Sequence, residues 1–144
     1  MLNQPESIPS EILDMLNTSN ENAFDKNIRK INFFSEILKF ADRIGLTDSQ
    51  VYNAIGMNRS LWYRMRNDSE ARTKKENVLK LVIVLRLNFW EAFYLIALAG
   101  YSFLPGINET DEIVAQCLLE KIYNPEEVDK ILYGKCYKTL FTEE

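Results

Sequence analysis

Residues 46–68 read LTDSQVYNAIGMNRSLWYRMRND. Leu46, Val51, Ile55, Met57, Trp62 and Met65 are apolar, and the positions between them are mostly polar. That spacing predicts two short amphipathic helices rather than a strand. Thr47 or Asp48 can cap a first helix running to about Ile55, because a short oxygen-bearing side chain accepts a bond from an unpaired N–H of the first turn. Gly56 suits the backbone that ends it, since glycine tolerates positive φ. Asn58 can then cap a second helix over residues 59–66. Two helices joined by a tight glycine-containing turn form a helix-turn-helix unit. The second helix opens Asn58-Arg59-Ser60 and places Tyr63, Arg64 and Arg66 away from Leu61, Trp62 and Met65.

The surroundings extend a helical pattern in both directions. Upstream, Ile28, Ile31, Phe34, Ile37, Leu38, Ala41 and Ile44 recur at three- and four-residue steps, predicting a scaffold helix from about Asp25 that ends at Gly45. Ser10 opens a short apolar face over residues 10–17, behind a loose arm with two prolines. Downstream, residues 69–72 read as a loop. Thr73 with Glu76 reads as a capping box for a helix to about Leu85. Asn88 with Glu91 reads as another, opening a helix over residues 89–99 that is apolar almost all round and stopped by Gly100. Residues 101–109 read as a turn-rich link. Thr110 is expected to open a helix to about Ile122, and Asn124-Pro125-Glu126-Glu127 to start one that ends at Gly134. Residues 135–144 carry no firm signal. No alternating strand pattern is present.

Charge is unevenly distributed. The 144 residues sum to −4. Residues 59–86 hold eight cations (Arg59, Arg64, Arg66, Arg72, Lys74, Lys75, Lys80, Arg86) and three anions (Asp68, Glu70, Glu76), net +5, inside an otherwise acidic chain. Such an island suits a localised anionic partner or a solvated face of two helices. With two cysteines, Cys117 and Cys136, no histidine and no CxxC spacing, neither a zinc site nor a disulfide framework is expected, and no cofactor. Cys117, in the run VAQCLL, reads as a core residue. No secretory signal and no run of about 18 apolar residues appear, so a soluble cytoplasmic protein away from membranes is expected. An enzyme is not expected. Histidine is absent, no glycine loop cradles phosphate, and the pairs Asp111-Glu112 and Glu126-Glu127 fall in first helical turns, where they favour the helix dipole.

Gly45-Leu46-Thr47, Gly56-Met57-Asn58, then Trp62, Met65, Asn67 and Asp68, and a later run from Val78 and Leu79 through Leu81, Val82, Leu85 and Leu87 to Asn88 resemble the lambda-repressor-like, or Cro/XRE, helix-turn-helix family. The resemblance covers about residues 33–101. It implies an all-α fold: a five-helix lambda-repressor-like core, with an N-terminal arm and two extra C-terminal helices. The matching division is 1–24 as arm with a short helix, 25–104 as helix-turn-helix domain and 105–144 as extension. It also implies a sequence-specific DNA-binding transcriptional regulator that inserts the helix over residues 59–66 into the major groove of double-stranded DNA. Arg59, Ser60, Tyr63, Arg64 and Arg66 would lie at or near the bases, and Arg72, Lys74 and Lys75 near the phosphates. Asn58 and Trp62 are assigned instead to cap and core, and Tyr63 is divided between core and groove. Trp90, Phe93, Tyr94 and Phe103 are the expected homodimer seam. Two departures weigh against DNA reading. Tyr52 stands where the family prefers alanine. Asp48 stands where many members carry a phosphate-touching glutamine, and would repel a phosphate by about 1 kcal/mol at water-like dielectric. The other reading is therefore a protein-binding adaptor, or a phage-type inhibitor of a nucleic-acid enzyme, that keeps the fold.

Overall fold

Asn32 has extended backbone, φ −143° and ψ 162°, and its side chain accepts from the Ser35 N–H at 2.8 Å while Ser35 Oγ faces the Asn32 N–H. This capping box opens helix α1, Phe33–Arg43. The computed structural model describes residues 9–10, 32–68 and 71–142. Six further helices follow among them: α2 Asp48–Ala54, α3 Arg59–Asn67, α4 Lys75–Val84, α5 Phe89–Leu98, α6 Glu109–Leu119 and α7 Pro125–Cys136. The described residues are all-helical, with no strand. The expected N-terminal arm, the brief helix after Ser10 and the 25–31 stretch of the scaffold helix lie outside the described residues, apart from Pro9 and Ser10.

One stop signal is used five times. After α1, α2, α4, α5 and α6, the residue past the cap bonds back to the carbonyl three positions earlier, and the next residue to the one five positions earlier. Gly45 N–H reaches Asp42 O and Leu46 N–H reaches Ala41 O; Gly56 and Met57 do the same to Asn53 and Tyr52. Arg86 with Leu87, Gly100 with Tyr101, and Lys121 with Ile122 repeat it. This paired closure satisfies carbonyls that a helix end otherwise leaves open, and it requires a left-handed residue at its first position. Gly56 supplies it at φ 70° without steric penalty, but Arg86 and Lys121 adopt φ 54° and 58° with a Cβ in place. Asparagine or threonine then starts the next helix within three residues: Thr47, Asn58, Asn88 and Asn124 each accept from an N–H of the following first turn.

Several expected boundaries move. Asn32 has the extended backbone of a cap, so α1 starts at Phe33 and the expected helix from about Asp25 does not run unbroken through it. Thr73 does not cap α4. It is buried, its hydroxyl accepts from Asn77 Nδ2 at 2.8 Å and its carbonyl from the Tyr101 hydroxyl at 2.7 Å, so the cap falls to Lys74, which makes no side-chain cap bond. Asn108, not Thr110, opens α6, which stops at Leu119 rather than Ile122. α7 passes through Gly134 to Cys136 and ends on a left-handed Tyr137.

The core is one buried cluster. It runs from Phe34, Ile37 and Trp62 through Leu81, Ile83, Leu95 and Ile96 to Val114, Leu118, Val128, Leu132 and Leu140, so the C-terminal helices share it with α1–α5. Cys117 is part of it, and burial pushes its thiol up. Polar groups are tied at the seams. Arg43 at the end of α1 makes a forked pair with Glu91 at the start of α5. Buried Glu36 accepts from the Tyr94 hydroxyl at 2.9 Å and pairs with the Lys39 ammonium at 3.1 Å. Buried Asp129 on α7 receives the backbone N–H groups of Leu140, Phe141 and Thr142 and the Thr142 hydroxyl, at 2.7 to 3.2 Å. That carboxylate folds the last described residues back over α7. Among the described residues no helix is long and apolar enough to cross a membrane.

Removing the strained side chain at Lys121 is expected to stabilise, and adding one at Gly56 to destabilise, each by about 1 kcal/mol, which is the scale of a left-handed L-residue. Thermal melts of Lys121→Gly and Gly56→Ala, moving in opposite directions by a few degrees, check this. Burial raises the Asp129 carboxyl, but its three N–H donors and one hydroxyl more than offset that, and it sits below its ordinary range. A folded-state value below the unfolded one gives stability that is present above the unfolded value and lost as pH falls through the folded one. The tail amides of residues 140–142 are therefore expected to lose exchange protection below about pH 4. In Asp129→Asn that protection is expected to be already low at pH 7 and to vary less with pH.

Candidate nucleic-acid interface

The candidate site is the outward side of α3, and the inward side fixes it. Trp62 is fully buried and Met65 nearly so. The Trp62 ring lies 4.8 Å from Phe34 of α1, edge-on, and 5.9 Å from Tyr52 of α2. Its indole N–H donates to Asp48 Oδ2 at 3.2 Å. The same oxygen accepts from Arg66 Nη1, also at 3.2 Å. Asp48 is therefore a bridge from the first turn of α2 to two residues of α3, one apolar and one charged. Lys80 of α4 donates to the Ile55 carbonyl at 3.2 Å, satisfying the end of α2. Asn58 accepts from the Leu61 N–H at 2.8 Å and is a cap, as expected.

With the inward side held, the outward side carries Arg59, Ser60 and Arg64, all exposed, and Tyr63, half-buried. Arg59 and Tyr63 are one turn apart, and the guanidinium lies 5.6 Å from the ring centroid. That cation–π contact orients a long flexible side chain that solvent would otherwise leave free. Neither Arg59 nor Arg64 forms an ion pair among the described residues. Arg66 is exposed but bound to Asp48.

The expected phosphate contacts divide. Lys74 is exposed at the opening of α4, where no side chain occupies the first-turn N–H groups. Arg72 is exposed, and its guanidinium lies against Gly100, where an added Cβ would meet Nη1 at 3.2 Å. Lys75 turns the other way. Its ammonium donates to Asp111 Oδ2 of α6 at 2.8 Å, a fully buried carboxylate that also accepts from the Leu104 N–H at 3.0 Å. Lys75 therefore joins α4 to α6 and does not belong with the surface cations.

The aromatic seam is likewise reduced. Phe103, Phe89, Trp90 and Phe93 form a chain of rings with centroids 5.7, 5.8 and 6.2 Å apart. Tyr94 and Phe103 are buried in the core, so they cannot meet a second copy; Phe93, 43% exposed, and half-buried Trp90 stay at the surface. Among the described residues no group of three or more histidine, cysteine or acidic side chains is arranged to hold a metal. Compared with known proteins, the chain matches no family model, no curated protein and no solved structure.

Three contacts escape sequence reading: Asp48 with Trp62, Asp48 with Arg66, and Lys75 with Asp111. They join residues 14, 18 and 36 positions apart. Replacing Asp48 by alanine is expected to leave the buried indole N–H without an acceptor, at about 1–3 kcal/mol. Asp48→Asn keeps the acceptor oxygen and is expected to lose clearly less. Urea unfolding followed by tryptophan fluorescence separates the two.

Proposed function

We propose that this protein binds double-stranded DNA through α3, as a sequence-specific transcriptional regulator of the helix-turn-helix kind. The observation that carries the reading is the two-sidedness of α3. Its Trp62 and Met65 side is locked into the core, while Arg59 and Arg64 stand outside with no anionic partner among the described residues. A helix of nine residues, rigidly seated and presenting unpaired arginines, is furnished for a major groove. There, arginine makes two hydrogen bonds to guanine, worth about 1–3 kcal/mol of discrimination. Ser60 and Tyr63 complete the presented face. Lys74 and the open first turn of α4 suit phosphate, which positions without reading sequence. Asp48 counts less against DNA than its position in sequence implies. Arg66 and the indole N–H already neutralise it, so the repulsion of a nearby phosphate is largely cancelled. Two copies would address paired half-sites, with Trp90 and Phe93 as the part of the seam available for pairing.

The exposed Phe93 also favours a second reading, a protein-binding module on the same fold. Fluorescence anisotropy against a library of genomic duplexes separates the two. Micromolar or tighter binding that weakens with salt is expected, because neutralising phosphates releases counterions. Arg59→Ala with Arg64→Ala is expected to lower affinity at least about tenfold and flatten the salt slope. Absence of salt-sensitive binding removes the DNA reading and leaves the protein-binding one, and a double variant that binds duplexes like the parent removes α3 as the reading helix.

A further inference from the structure

A groove of about 530 Å³ lies where the end of α1, the outer side of α2, the end of α4 and the approach to α7 meet. Its walls are largely apolar: Ile44, Leu46, Ala54, Val84 and Pro125. Ile44 is 36% exposed and Ala54 is exposed, so this apolar surface faces solvent. Among the lining residues, Arg86 alone is charged. It is exposed and forms no ion pair among the described residues. Its guanidinium lies 6.0 Å from the Tyr123 ring centroid. The Tyr123 hydroxyl donates to the Leu87 carbonyl at 2.9 Å, which holds the ring in place. Arg86 also occupies a left-handed turn position, φ 54°, that the same turn fills with glycine after α1, α2 and α5.

We propose that this groove binds a small amphipathic carboxylate: an apolar chain or ring laid along Ile44, Leu46 and Val84, with its acid group on Arg86. Three properties select this class. The groove's volume lies in the range of small-ligand sites, about 300–1,000 Å³. Its few lining residues fall well short of the roughly 20–30 that each side of a protein interface supplies. The apolar walls disfavour a fully hydrophilic anion, since only the Gln50 side chain and the already engaged Tyr123 hydroxyl stand beside Arg86 to meet its other oxygens. The unpaired guanidinium presents a planar fork that matches a carboxylate in a two-bond geometry and gives a neutral or cationic amphiphile no counterpart. The proposal stands apart from DNA binding, because no groove residue belongs to α3.

Octanoate is the probe, with octanol as the neutral ligand of equal chain length. Both are titrated into the full chain with labelled methyl groups and followed by NMR. Octanoate is expected to shift the Ile44, Leu46 and Val84 methyls and to bind about tenfold more tightly than octanol, as a charge-assisted bidentate contact requires. Arg86→Gln is expected to abolish that preference while leaving octanol binding in place. Ala54→Glu, which sets a carboxylate on the exposed side of α2, is expected to weaken octanoate and spare octanol, so it tests the same point at another position. Equal binding of the two ligands overturns the proposal, as do shifts that map elsewhere. It is also overturned if both variants hold octanoate as the parent does.

Discussion

The indole of Trp62 is the constraint on which the first half of the fold depends. A tryptophan buried completely must place a large apolar body among apolar neighbours and still satisfy one N–H donor. Phe34 and Tyr52 provide the neighbours and Asp48 the acceptor. One side chain thus fixes α3 against both α1 and α2. A buried donor has few alternative acceptors, so α3 cannot rotate about its axis without losing this bond. The outward arginines inherit their positions from that restriction, and Arg66 is drawn into the same arrangement through the shared oxygen of Asp48.

Much of the fold was legible because it is written in local chemistry. Glycines 45, 56 and 100 and the caps Thr47, Asn58, Asn88 and Asn124 mark ends and starts that need only the neighbouring residues, and the structure places them there. The misplaced boundaries share a different cause. Asn32 falls on the polar side of a stripe that continues through it, so periodicity sees no break. Thr73 has the sequence of a cap but is drawn inward by Tyr101, 28 residues away. Arg86 and Lys121 close helices from a conformation that composition does not announce.

The candidate site was legible in its residues and less so in its wiring. Arg59, Ser60, Tyr63 and Arg64 follow from the phase of a short helix once Trp62 and Met65 are assigned inward. What the sequence cannot display is which cations are already engaged. Lys75 and Lys74 are adjacent and look equivalent, yet one is held by Asp111 of a later helix and the other is exposed. Asp48 reads as an isolated repulsive charge until its two donors are placed. Net charge over a stretch therefore overstates the free charge, and long-range pairing decides how much of it reaches a partner.

The carboxylate of Asp129 carries a consequence for proteolysis. Its four donors come from residues 140–142 and from nowhere else among the described contacts. A protease that clips the chain after Tyr137 removes all of them at once and also strips Leu140 from the core. The charge left behind then hydrates through the opening that the lost residues leave on α7. A single cut there uncovers the side of α7 that Leu140 and Phe141 otherwise cover, and apolar core surface with it.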